Sequence, residues 1–211
     1  MIMGFFSYIA SHWYVGLALV LLIILTVFVW IMALVSGRKR REERERIIAE
    51  LEKEKALRKE FKVVDNSTFA EDKDDYRLVI GMCAHIQQKI EKEENMNDAF
   101  MQLAEVERYV YALGYVFEDS RNGISGFFRL NGEPLVSVSV EAVDRVIGGE
   151  FSELFQSVHR MFDDDDEAVS VDEEFLQKAD EKSIELIASD GSEIFAAAAE
   201  YIRSNKNHFI S

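Results

Sequence analysis

Apolar positions fall into two regimes along this chain. From Trp13 to Ser36 they run almost without interruption: WYVGLALVLLIILTVFVWIMALVS holds no Asp, Glu, Lys, Arg, Asn or Gln. As a helix rising 1.5 Å per residue, the 24 residues would extend roughly 36 Å, enough for a ~30 Å hydrocarbon core. The pattern predicts a transmembrane helix over 13–36, with Trp13 and Tyr14 at one lipid interface and 1–12 as an extracytoplasmic N-terminus. Residues 1–12 carry no Lys or Arg and the apolar run exceeds that of a signal peptide, so cleavage is not expected.

Beyond Ser36 the apolar residues recur at helical spacing. Residues 37–62 are rich in strong helix formers and read as a charged helical stalk. Its apolar positions, Ile47, Ile48, Leu51, Leu57 and Phe61, are sparse for a heptad seam; a short coiled-coil homodimer is the alternative reading. Residues 63–75, VVDNSTFAEDKDD, read as a linker, and 76–211 as an acidic helical domain. Within the domain, 76–94 places Leu78, Val79, Met82, Cys83, Ile86 and Ile90 on one face, and 98–117 repeats the pattern through Phe100, Leu103, Val106, Val110, Leu113 and Phe117. Tyr109, Tyr111 and Tyr115 read as core and rim. The chain's only proline lies in 121–134, RNGISGFFRLNGEP, and 135–140, LVSVSV, alternates as a strand would. A hairpin FFRL–NGEP–LVSV therefore competes with a helix capped by Ser139 and stopped by Gly148 and Gly149. Further helices are predicted over 151–162, from a Ser170/Glu173 capping box through Ala179, and from Asp190 or Glu193 through Ile202. The fold class expected is mainly α: one transmembrane helix, a helical stalk, and an all-α domain with room for one small hairpin.

Charge divides the chain. Residues 1–64 hold 11 Lys+Arg and 7 Asp+Glu, a net of +4; residues 65–211 hold 13 and 32, a net of −19, which together give the chain's −15. Arg38, Lys39, Arg40 and Arg41 follow the apolar run directly, and no basic residue precedes it. Basic flanks stay on the cytoplasmic side, so the expectation is a single-pass protein with the N-terminus outside and the domain in the cytoplasm. These four residues would rest on anionic lipid headgroups, making the bilayer a partner. The acidic domain would repel nucleic acid and attract basic proteins. One cysteine, Cys83, allows no disulfide framework and fits a reducing compartment.

Catalytic chemistry finds little footing. His12, His85, His159 and His208 lie on separate segments without metal-ligand spacing. No GxSxG or P-loop pattern occurs. No enzyme activity, cofactor or metal site is expected. Asp163, Asp165, Glu167 and Glu174 do fall on positions 1, 3, 5 and 12 of a calcium-loop register, but Ala168 stands where such a loop needs glycine.

Asn122-Gly123, followed by Phe127-Phe128 and Asn131-Gly132-Glu133, resembles the NGG…FF…N…G segment of the C-terminal domain family of bacterial DNA-mimic proteins. Residues 142–148, AVDRVIG, look like that family's AL..IG helix end. Asp172-Glu173-Glu174-Phe175 and Ala199-Glu200-Tyr201-Ile202-Arg203 are similar to its DEEF and YIR elements. The resemblance covers about 96–211. Ile124, Ser125 and Gly126 stand where the family has Gly, Phe and Gln. It implies a mainly helical fold, a bacterial setting (here the inner membrane), and carboxylates that imitate DNA phosphates before a basic surface. The candidate partner-binding residues are Asp163, Asp164, Asp165, Asp166, Glu167, Asp172, Glu173, Glu174, Asp180, Glu181 and Glu185. The function expected is an acidic, membrane-anchored module that binds a basic cytoplasmic protein; the alternative is an assembly component of an envelope complex, acting through its span and stalk.

Overall fold

The computed structural model describes residues 13–70, 74–162, 172–189 and 191–210. Among them there is no strand; the described elements are helices and helical turns. Two compact units divide at Glu54 and Lys55.

Helix α1, Trp13–Glu60, has 48 residues and is the chief element of the first unit. The predicted span and stalk are therefore one helix. The apolar run has no end of its own, because neither cap nor break separates it from the charged residues that follow. Among the described residues no helix is long and apolar enough to cross a membrane. That finding corrects two expectations together: the transmembrane helix over 13–36 and the single-pass placement in an inner membrane. Residues 1–12, expected to lie outside a membrane, are outside the described residues.

The second unit, from Lys55 onward, is built on α2 (Asp75–Ile90) and α4 (Glu105–Asp119). They pack together, with α6 (Leu135–Ala142) against α4 and α9 (Gly191–Ser204) against α2. All six residues predicted for the buried face of α2 are buried: Leu78, Val79, Met82, Cys83, Ile86 and Ile90. The segment read as a linker contributes to the same core through Val64 and Phe69, the latter stacked on Phe209 with ring centroids 6.3 Å apart. Asp65 caps the short turn Asn66–Phe69, accepting from the Ser67 amide at 2.8 Å.

The helix predicted over 98–117 is two helices, α3 (Met96–Gln102) and α4. Leu103 and Ala104 are extended between them, with ψ of 153° and 149°. Charged side chains close both ends of this break. Arg108 Nη1 donates to the Met101 carbonyl at 3.0 Å and the Leu103 carbonyl at 3.2 Å. Glu107 Oε2 accepts from the Ala104 amide at 3.1 Å. Periodicity survives the break because both helices bury apolar residues into one core.

No hairpin forms over 127–138. Residues Ile124–Leu130 make helix α5 and Leu135–Ala142 make α6. In α6 the buried positions are Val136, Ser139 and Ala142, a three-residue repeat of a helical face rather than the two-residue repeat of a strand. Ser139 is thus an interior residue and caps nothing. Gly148, at φ +65°, ends the π-turn Val143–Ile147 and donates its amide to the Val143 carbonyl at 2.9 Å. Helix α7 (Gly149–Phe162) follows, and its Phe155 packs against Phe128 of α5 at 4.7 Å. Helix α8 (Glu173–Ser189) runs well past the predicted end at Ala179. It starts at Asp172, whose carboxylate accepts from the Glu174 and Phe175 amides at 3.1 and 3.0 Å. Ser170, the predicted cap, lies outside the described residues, as does Asp190.

Candidate functional site

Helix α8 and its cap carry six of the eleven acidic residues singled out from the sequence. Asp163, Asp164, Asp165, Asp166 and Glu167 lie outside the described residues, which also takes most of the calcium register with them. Each of the other six has a partner inside the molecule. Asp172 caps α8. Glu173 pairs with Arg129 at 3.0 Å, and Glu174 with Lys178 at 2.7 Å. Glu181 accepts from Gln177 at 3.1 Å, and Glu185 lies 3.5 Å from Lys182. The six residues therefore share one helix and its cap, without forming one open array. Glu181 and Glu185 are one turn apart, about 6 Å along the axis, with Lys178 and Lys182 interleaved. Duplex DNA is denser, at one charge per ~1.7 Å of axis.

Asp180 plays a different part. Its Oδ1 accepts from the Ser125 amide at 2.8 Å and its Oδ2 from the Ser125 hydroxyl at 2.6 Å. Ser183, one turn on, accepts from the Ile124 amide at 3.1 Å. Two residues of α8 thus satisfy the open amides at the start of α5, where the chain offers no cap of its own. Gly123 permits this approach. It sits at φ +126°, and a Cβ there would overlap the Asp180 carboxyl group. The glycine of the motif's Asn-Gly pair is therefore a packing requirement here, and Asp180 is half-buried at the α5–α8 contact.

The basic residues are also engaged. Arg77, Lys89, Arg121, Arg129, Arg145, Lys178, Lys182 and Arg203 all stand in ion pairs. Arg145 joins Glu105 at 3.1 Å and Glu141 at 2.8 Å while lying over the Tyr109 ring. With 13 cations against 32 carboxylates over 65–211, complete internal pairing would still leave 19 carboxylates facing solvent or a partner.

A cleft of about 310 Å³ opens between the C-terminal end of α2, helices α3 and α4, and the α5–α6 connection. Its lining includes Ile90, Met96, Phe100, Tyr111, Tyr115, Leu130, Glu133 and Leu135. Tyr111 is buried and donates its hydroxyl to that of Tyr115 at 3.2 Å, with the ring of Phe100 5.3 Å away. Burial holds both phenols above the ordinary tyrosine value, so both stay protonated at neutral pH. Asn131 is held by Asp119 at 2.7 Å. Sequence reasoning assigned Tyr111 and Tyr115 to core and rim. Their four-residue spacing places them on one helix face, but the facing α5–α6 connection was not foreseeable while that region read as a hairpin.

Cys83 is buried, and burial pushes its thiol up to about 12. Among the described residues no group of three or more His, Cys, Asp or Glu side chains is placed to hold a metal ion. No family model, curated protein or solved structure matches the chain.

Proposed function

We propose that the helical unit from Lys55 onward is a binding module for a basic protein, acting by contact rather than by turnover. One observation carries the reading: residues 65–211 hold 19 more carboxylates than cations, while most of the described cations are committed to partners within the fold. Such a surface attracts basic partners over a range set by salt, about 8–10 Å at physiological ionic strength. DNA mimicry is the mode the family resemblance favours, with the surplus carboxylates standing where phosphates would stand on a DNA-binding surface. The internal pairs along α8 put the weight of recognition on unpaired carboxylates beyond the six described candidates.

Crosslinking of the full-length chain in its native cell, followed by recovery of the adducts, tests both levels. A recovered basic protein whose binding to the purified chain weakens steeply from 50 to 300 mM salt supports the module. Salt-indifferent binding, or recovery of acidic proteins alone, overturns it. Displacement of that partner by excess 20-base-pair duplex DNA supports mimicry, and persistence of the complex in excess duplex rules mimicry out.

A further inference from the structure

The cleft adds a second element of recognition to the surplus of charge. We infer that it receives one large apolar or aromatic side chain of a Lys/Arg-rich partner segment, so that the basic partner is anchored as well as attracted. The inference rests on the basic-partner reading and goes beyond it by naming where and through what the partner docks.

Three features point to this occupant. The first is size and lining. A volume of about 310 Å³ sits at the small end of ligand pockets, room for one bulky side chain and its adjoining backbone. The floor is aromatic, from Phe100, Tyr111 and Tyr115. Such rings supply large contact area at little entropic cost, and buried anchors of this kind dominate interface energetics. The second feature is the mouth. Leu130 is 73% exposed and Met96 is 42% exposed, apolar side chains left in water at the lining of the recess. Met adapts its shape to whatever enters. The third is electrostatic. Ile90 is the last residue of α2, so a helix C-terminus with its partial negative charge opens at the cleft. Glu133 stands in the wall, and the exposed chain linking Ile90 to Met96 carries Glu91, Glu93 and Glu94 against one cation, Lys92. A recess that sets apolar and aromatic side chains beside the polar groups of Asn97, Asn131 and Glu133, within an acidic surround, suits a bulky residue flanked by cations.

Tyr115 gives the site direction. Its oxygen accepts the proton of Tyr111, and its own proton has no acceptor among the described residues. A backbone carbonyl of the incoming segment beside its anchor would satisfy it. An aliphatic small molecule would leave that donor unused, and an acidic peptide would meet like charge at the rim.

The test uses the full-length chain and two fluorescein-labelled nonapeptides, KKKGWGKKK and KKKGSGKKK, read by anisotropy at 50 mM salt. The expected result is at least tenfold tighter binding of the tryptophan peptide. Gly132→Phe supplies the control. Gly132 lines the cleft, and a Cβ there meets open space, so a ring added at this position of the lining crowds the cleft without a backbone clash. This variant, confirmed folded by its far-ultraviolet dichroism, should lose the tenfold preference while binding the serine peptide as before. Equal binding of both peptides overturns the anchor and leaves the acidic module standing. An undiminished tryptophan preference in Gly132→Phe also overturns it. Failure of both peptides to bind overturns the anchor and the basic-partner reading together.

Discussion

The Asp180 carboxylate caps a helix other than its own, taking both the amide and the hydroxyl of Ser125 at 2.8 and 2.6 Å. It joins α8 to the start of α5 across 55 residues of chain. A side-chain cap contributes about 0.5–2 kcal/mol, and this one also ties two elements together. Asp180→Ala should therefore lower the melting temperature by about 1–8 °C, given ~2–4 °C per kcal/mol for a chain of this size. Glu181→Ala, exposed one position on, should stay within about 0.5 kcal/mol of the parent. Gly123→Ala should cost at least as much as Asp180→Ala, since it meets both the positive φ and the Asp180 carboxyl. Differential scanning calorimetry of the three variants checks the order; equal melting points for Asp180→Ala and Glu181→Ala would refute the cap.

Phe61 and Gly81 form a second close pair. Phe61 is buried against α2 at the position where Gly81 lacks a side chain, and a Cβ on Gly81 would overlap the Phe61 ring. Gly81→Ala is expected to destabilise by about 1–3 kcal/mol through overpacking, despite alanine's higher helix propensity. Combining it with Phe61→Leu should cost less than the sum of the two single changes. Urea denaturation of the double-mutant cycle measures the coupling, and strict additivity would show that the ring does not rest there.

The Cys83 thiol reports on burial. With its pKa pushed up to about 12, its thiolate fraction at pH 8 should fall about a thousandfold below that of an ordinary thiol. Reaction with Ellman's reagent should be correspondingly slow in the folded protein and fast in 6 M guanidinium. A fast native reaction would show that the α2–α4 contact opens readily.

Asp65 gives a pH signature. The hydroxyl and amide of Ser67 hold its carboxyl below its ordinary value of 3.8. A lowered folded-state value means the group contributes stability above 3.8 and loses it as pH falls through the folded value. Carboxyl carbon chemical shifts, followed by NMR from pH 6 to 2, should place Asp65 among the late-titrating aspartates. Asp65→Asn should weaken the acid dependence of stability below pH 4. An Asp65 midpoint at or above 3.8 would contradict the turn geometry.

The parts of this fold legible in the sequence are those where burial alone decides. The six apolar residues of α2 follow from spacing, and all are buried; of the five that spacing puts on the buried face of α9, Ile194, Ala198 and Ile202 are buried and Phe195 and Tyr201 half-buried. What spacing did not reveal depends on partners distant in the chain. Arg108 and Glu107 interrupt a helix that periodicity reads as continuous. LVSVSV has a strand's alternation, yet neighbouring helices bury it with a three-residue repeat. The acidic candidates were legible as charge but not as geometry, because an Asp that caps a distant helix looks in sequence like an Asp in solvent. The apolar run at 13–36 predicted a membrane span, but the length of a run does not give the bounds of a helix; α1 continues through it to Glu60.

The protein's acidity therefore has two components that answer differently to redesign. Carboxylates such as Asp180, Asp172, Glu107, Asp74, Asp65 and Asp119 are architectural: the first five accept from backbone amides, Asp119 holds the Asn131 side chain, and Glu107 also draws in Lys89 at 2.7 Å. The remainder is exchangeable surface. A variant with most of its Glu and Asp replaced by Gln and Asn should keep this fold provided those architectural groups are spared. It would present the same shape to a partner with the attraction removed, separating recognition by charge from recognition by form.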